Sequence, residues 1–520
     1  MPSMHGTRVG LAVVVGMMMA MSAMGANASQ PIERGISYED AARASFPELL
    51  EFLALPNDAI APADIRANVT WLERAFAKRG FTTKQLPNNG KPLLFAEYGK
   101  PRPGRKTLLF YMHFDGQPVL PEQWAQPSPW QPVVKKRNVA GAWEVVPTTR
   151  LQDTPLDPEL RVFARSASDD KGPIMMLLAA FDTLRSAEAE PRNHIKVILD
   201  SEEEKGSPGL GAVAKAHADL LRSDGLLIFD GPRHASGRPT LAFGNRGNAL
   251  ATLTVYGPRN PLHSGHYGNY APNPAQRLAA LLASMKDDDG RVTIDGYYDR
   301  VVLSDGERAI LAEVGDDDAA IRKRIGIARA ERVAPNYQEA MQYPSLTIRG
   351  LQSAAVGEKG ANIVPHKAVA ELDLRTTPEA GPDHLFGLLQ AHVRKQGWHL
   401  VDGEPTEVDR ATYDRLASLS YEGGGDAART PMDAPIGAWA YTVLGRSFGD
   451  APDMQPVRIR MMGGSLPTDE LASALKVPFV IVPLVNGDNN QHSFDENLRV
   501  GNYVDGVKTI VLLAMTLIGG

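Results

Sequence analysis

Four largely apolar runs without alternation punctuate the chain: residues 107–112 (TLLFYM), 195–199 (IKVIL), 226–229 (LLIF) and 477–484 (VPFVIVPL). Such runs suit strands covered on both faces by helices, the usual condition of a parallel sheet. Between them the apolar spacing lengthens to three and four residues. Residues 38–55, 61–79, 171–184 and 209–221 read as helices, the last with Pro208 at its start, where a missing N–H costs little. Asp169 and Asp170 precede the third of these, and acidic groups favour a helix N-terminus. The alternation of strand and helix runs to about Asn245 and predicts an α/β domain built on a mostly parallel sheet.

Beyond Asn245 the pattern changes. Residues 250–256 (LATLTVY) alternate as a half-exposed strand should, 271–285 are helical, 345–349 and 368–375 are strands, 384–396 are helical, and 398–401 are strand-like. That order, β-α-β-β-α-β, is the ferredoxin-like split unit. A charged stretch, 297–331, is inserted within it and is expected to be helical. The predicted division is a leader at 1–28, a first domain in two parts at 36–245 and 411–520, and an inserted α+β domain at 246–410, with hinges near Asn245 and Thr406.

The leader has a weakly positive start at His5 and Arg8, an apolar run from Val9 to Met24, and Ala26-Asn27-Ala28 before a cleavage point near Ala28. It reads as a secretory signal, which predicts a secreted or periplasmic protein with no membrane attachment after its removal. A transmembrane anchor is the alternative reading. The net charge of −6 is mild and well mixed, with no basic stripe for nucleic acid. There is no cysteine, so disulfides, thiolate ligands and a cysteine nucleophile are excluded. Any metal must be held by nitrogen and oxygen.

Those ligand types stand at or just after the predicted strand ends. His113-Phe114-Asp115, Glu202-Glu203-Glu204 and Asp230-Gly231 follow three of the runs, and Gln491-His492-Ser493 lies shortly beyond the fourth. Ser168-Asp169-Asp170 sits where a strand-like stretch, 161–164, meets a helix. In open α/β sheets, ligands bind outside the carboxyl ends of strands, so these groups point to one crevice. Imidazole and carboxylate are a ligand set for zinc, and cobalt or manganese accept it as well. His113 and Asp115 lean the same way, so one can bind metal while the other fixes the imidazole. Three adjacent acids after a buried strand repel one another unless a cation or proton neutralises them. Each cluster taken alone also has an ordinary structural reading, as a helix cap, a turn or a solvated loop.

Taken together, the motifs resemble the co-catalytic di-zinc metallopeptidases of clan MH, a family that includes carnosinase, carboxypeptidase G, aminoacylase and succinyl-diaminopimelate desuccinylase. The likeness runs from about Tyr38 to the C-terminus. His113-Phe114-Asp115-Gly116-Gln117-Pro118 matches its H-x-D-x-x-P, Asp169-Asp170-Lys171-Gly172 its D-D-K-G, and Glu203-Glu204 with Gly206-Ser207 its E-E-x-G-S. The resemblance implies a zinc-peptidase-like catalytic domain interrupted by a ferredoxin-like lid. It implies two zinc ions per chain, with His113 and Asp230 on one, Glu204 and His492 on the other, and Asp169 bridging. It implies Glu203 as general base, Asp115 as the group orienting His113, and a cis Asp169–Asp170 peptide. Leu262-His263-Ser264-Gly265 resembles the lid motif whose histidine stabilises the oxyanion, often from a partner subunit, which implies a homodimer joined through the lid. Asn362-Ile363-Val364-Pro365 and Asp373-Leu374-Arg375 resemble elements that hold the substrate carboxylate, and Gly463-Gly464-Ser465-Leu466-Pro467 resembles a G-G-S-x-P loop in contact with substrate. Asn362, Arg375, Gly464 and Ser465 are the implied substrate-binding residues.

The expected activity is hydrolysis of a peptide or amide bond beside a free carboxylate, on a small peptide or an N-acyl amino acid. Deacylation of N-acyl amino acids, a one-metal aminopeptidase-like enzyme, and an exported binding protein that has lost catalysis stand as alternatives. Two departures qualify the likeness. Ala164-Arg165-Ser166 stands where relatives show G-R-G, and Met461-Met462 replaces the arginine–glutamate before G-G-S. The long connection 120–158, with Trp124, Trp130 and Trp143, reads either as an extra cleft wall or as a buried cluster.

Overall fold

The computed structural model describes residues 37–449 and 454–519. The leader at 1–28 and its cleavage point lie outside the described residues. No helix among the described residues is long and apolar enough to cross a membrane.

The four apolar runs form the centre of an eight-stranded sheet. Its order is Phe81–Leu86, Leu93–Tyr98, His194–Asp200, Thr107–His113, Gly225–Ile228, Phe479–Ile481, Thr240–Ala242 and Val457–Ile459. The four strands from His194–Asp200 to Phe479–Ile481 run parallel, so their carboxyl ends open on one side. Successive side chains serve opposite faces. Leu108, Phe110 and Met112 enter one core, with the helices Tyr38–Leu53, Lys171–Ser186 and Val500–Met515. Leu109 and Tyr111 enter the other, beneath Leu210–Ala216 and Thr468–Leu475. Two covered faces account for the absence of alternation in the sequence.

The inserted lid is a five-stranded sheet ordered Ser345–Gln352, Lys367–Thr376, Gly247–Tyr256, Leu416–Tyr421 and His399–Leu400. Buried residues of Pro274–Ala283 and Pro382–Lys395 share its core. Two expectations change here. The strand beside Gly247–Tyr256 is Leu416–Tyr421, not the one near 398–401, which pairs with it as a short parallel edge. The lid therefore extends past 410. The second hinge is also not at Thr406, which caps the lid helix Glu407–Thr412. Instead Gly244–Asn245 pairs antiparallel with Ala428–Arg429, so the two crossings between domains run side by side.

The charged insertion forms two short helices, Asp305–Glu313 and Asp318–Ile325, and a single helical turn, Tyr337–Ala340, follows it. The insertion is tied to the catalytic domain by Arg458–Glu313 (2.7 Å), Arg460–Glu307 (2.7 Å) and His234–Asp316 (2.8 Å). The 120–158 connection builds part of a four-stranded sheet ordered Asn497–Arg499, Arg161–Phe163, Val133–Arg137 and Trp143–Val146. The guanidinium groups of Arg137 (4.4 Å) and Arg161 (5.0 Å) both lie over the Trp143 ring. None of the three tryptophans lines the cleft described next.

Candidate metal centre

His113 ends its strand fully buried. Its Nε2 lies 2.8 Å from Asp169 Oδ1 and 3.7 Å from Asp230 Oδ2. The other oxygen of Asp169 lies 3.1 Å from His492 Nε2, which is 3.4 Å from Glu204 Oε2. Donor atoms of His113, Asp169 and Asp230 fall within 4.8 Å of one another, as do those of Asp169, Glu204 and His492. Two triads thus share one carboxylate, drawn from five separate stretches of chain.

The backbone that delivers them is held by other carboxylates. Asp115 faces His113 Nδ1 at 3.4 Å and accepts the N–H groups of Glu203 (3.0 Å) and Glu204 (3.1 Å). It therefore fixes both the imidazole and the glutamate turn. Glu202 points away, paired with Lys91 and accepting from Asn88 Nδ2 at 3.0 Å. The Asp169–Asp170 peptide is cis. Glu496, fully buried, accepts from Ser168 N (2.8 Å) and Asp169 N (2.9 Å) on one oxygen. Its other oxygen accepts from Ser166 N (2.9 Å) and Arg165 Nη1 (2.8 Å). Ser166 sits at φ 62°, the left-handed region that favours glycine. Serine nevertheless occupies this left-handed turn, with Asn57 Nδ2 donating to its hydroxyl at 3.0 Å.

The electrostatics of the cluster call for cations. Burial and Asp169 push the Glu204 carboxyl up to about 8. Burial chiefly, with Asp169 also repelling it, pushes Asp230 up to about 6. Burial, reinforced by Asp230 and Glu204, pushes Glu203 well above the carboxylate range. The hydrogen bond to Asp169 lifts His492 to about 9. Asp169 runs the other way: burial pushes it up, but hydrogen bonds from His113 and His492 outweigh that. Asp230 Oδ2 is buried without a hydrogen-bond partner. Among the described residues no lysine or arginine pairs with Asp169, Glu203, Glu204 or Asp230. Gathered carboxylates with an orphaned oxygen, two imidazoles and no thiolate fit divalent metal ions.

The cluster opens into a cavity of about 780 Å³, lined also by Arg375, Gly464 and Ser465. Arg375 donates to Ser465 Oγ at 3.2 Å and pairs with Asp373 at 3.3 Å. His263 and Asn362 are not brought to this cleft. His263 and Ile363 pair in a short ribbon on the lid, His263 is exposed against His266, and Asn362 is exposed beside it. Neighbours the motifs did not single out complete the site. Gln117 donates to Glu204 (2.6 Å), Gln491 donates to Asp169 (3.3 Å), and Glu496 carries the Asp169 loop. Gln117 and Gln491 adjoin motif residues; Glu496 had no signal beyond its nearness to His492.

Residues 109–516 match the model of peptidase family M20/M25/M40. The Cys-Gly metallodipeptidase dug1 of Schizosaccharomyces pombe is 26% identical over 478 residues, spanning 89% of this chain and 91% of that protein. The Beta-Ala-His dipeptidase of Homo sapiens is 24% identical, spanning 92% of this chain and 91% of its own. Among solved structures, an M20 family metallo-carboxypeptidase from Sulfolobus solfataricus superposes with a TM-score of 0.71 at 24% identity, covering 90% of this chain and 98% of its own. The chain belongs to the M20/M25/M40 peptidase family, within the clan of di-zinc metallopeptidases. It is a metal-dependent hydrolase.

Proposed function

We propose that this protein hydrolyses the peptide bond of dipeptides or of other small peptides ending in a free carboxylate. The observation that carries the reading is the pair of triads sharing Asp169, with Glu203 beside them and Arg375 in the same cavity. His113, Asp169 and Asp230 would hold one zinc, and Asp169, Glu204 and His492 the other; cobalt or manganese suit the same donors. Bound ions would supply Lewis acidity toward the scissile carbonyl and acidify the attacking water.

The chain's own groups do the rest. Glu203 takes the water's proton and returns it to the leaving amine. Asp115 holds His113 in one tautomer and orientation. Arg375, released from Ser465, offers a guanidinium fork to the substrate carboxylate, and the Gly464–Ser465 backbone stands beside it. His263 and Asn362 lie together on the lid, away from their own cleft, which supports a homodimer in which each lid serves the other copy's site. The leader supports export, with cleavage near Ala28; N-terminal sequencing of the secreted protein tests that. N-acyl amino acids, which carry the same free carboxylate beside an amide bond, are the second substrate class.

The test is a hydrolysis screen of dipeptides and N-acyl amino acids with the zinc-loaded enzyme, before and after chelation. Zinc-dependent turnover of dipeptides is expected. No zinc-dependent hydrolysis of either class would overturn the proposal.

A further inference from the structure

We infer that Tyr337, with Met462, forms an apolar subsite for the side chain of the residue that bears the substrate carboxylate, so that a bulky apolar C-terminal residue is preferred to glycine. The inference rests on the dipeptidase reading above and names the substrate class more closely.

Tyr337 opens a single helical turn just after the insertion, capped by Asn336, whose Oδ1 accepts from Glu339 N at 2.8 Å. The polar side chains around it are pinned and buried. Gln338 donates to Asp316 (2.8 Å), Glu339 pairs with Arg308, and Gln342 accepts from the buried Arg460 (3.0 Å). The Tyr337 ring is left out of this network. The residue is 46% exposed, and it lines the cleft. An exposed aromatic on a scaffold fixed on every other side is a preorganised wall rather than core packing.

The same cavity holds Arg375, the proposed carboxylate-binding group, on the lid strand Lys367–Thr376. Met341, one turn beyond Tyr337, packs so closely on the Gly463-Gly464-Ser465 loop that a Cβ at Gly463 would stand 2.7 Å from its Cε. Ser465 in that loop accepts from Arg375. Met462 lines the cavity next to the loop, its Cε 3.0 Å from where a Cβ would stand at Gly231, the neighbour of Asp230. Tyr337 and Met462 thus line the same cavity as the guanidinium, a phenol ring and a thioether in the space where the substrate carboxylate would sit. A carboxylate seated on Arg375 puts its Cα substituent against that apolar surface. Glycine leaves the surface wet, whereas leucine or phenylalanine dries it.

The test uses the zinc-loaded enzyme with Ala-Gly, Ala-Leu and Ala-Phe. Wild type is expected to favour Ala-Leu and Ala-Phe over Ala-Gly by about ten-fold in kcat/KM, carried mainly by KM, as one apolar group in a pocket allows. Tyr337→Ala and Met462→Ser should each shrink that ratio, raising KM for Ala-Leu and Ala-Phe more than for Ala-Gly, while Tyr337→Phe retains it. A merely structural role for Tyr337 would lower all three substrates alike, and that outcome overturns the inference. So does a wild type that turns over all three without preference, with the dipeptidase reading left standing. Failure to hydrolyse any of the three overturns the inference, and the dipeptidase reading falls with it only where the wider screen also shows no zinc-dependent hydrolysis.

Discussion

Asp115 accepts the backbone N–H of Glu203 from a separate strand end, and their tasks separate cleanly. Glu203 lines the cavity, whereas Asp115 is fully buried and spends its oxygens on two backbone N–H groups and the His113 ring. Glu203→Gln keeps the shape and removes the proposed base, so kcat should fall by about 10²–10⁴-fold. Metal content per chain, measured by atomic absorption, should stay the same; full turnover in this variant would remove Glu203 as the base. Asp115→Asn attacks support instead. It replaces an acceptor with a donor facing N–H groups, and zinc affinity should drop by about 10–100-fold, read by competition with a chromophoric chelator. At this scale the sequence was most legible where residue types are chemically rare at a strand end: His113, Asp230 and the glutamate triplet needed no fold to be noticed. Glu496 did not stand out, because a lone loop glutamate acquires its role only when the fold brings it to Arg165, 331 positions away.

At the scale of elements, that glutamate joins the turn before Lys171–Ser186 to the loop carrying His492. Four donors converge on its two oxygens, one of them a buried guanidinium. Glu496→Ala would strand Arg165 and three N–H groups, and loss of one partner of a buried pair costs about 3–5 kcal/mol. The denaturant midpoint of the metal-free variant should fall accordingly. Glu496→Gln keeps acceptor capacity and should cost less; a fall no larger than that of a surface substitution for either variant would show that the turn holds without it. Elements buried on both faces were readable from the sequence, since an unbroken apolar run of strand length suits a doubly covered strand far better than a half-exposed one. The lid's strand order was not. Residues 398–401 and 416–421 are both short and half-buried, and only pairing decides which lies beside Gly247–Tyr256. The hinge moved for the same reason: with 416–421 paired to Gly247–Tyr256, Thr406 falls inside the lid, where it caps Glu407–Thr412.

For the molecule as a whole, the metal centre places its cost in the metal-free state, and that cost depends on pH in a fixed direction. Folding raises Glu204 from 4.5 to about 8, Asp230 from 3.8 to about 6, and His492 from 6.5 to about 9. A group raised on folding contributes stability that is complete below its unfolded value and is lost as pH rises through its folded value. Asp169 is lowered, so its contribution is present above 3.8 and is lost only in acid. Between about pH 6 and pH 9 the raised groups govern, and the chelated protein should lose thermal stability as pH increases. Metal binding needs deprotonated carboxylates and neutral imidazoles, so zinc binds more tightly over the same interval and stabilises the folded state by mass action. The melting temperatures of the chelated and zinc-loaded forms should therefore diverge with rising pH, the chelated curve falling while the loaded one holds. Melting curves that stay parallel across that range would mean the carboxylates are neutralised by something other than a metal ion.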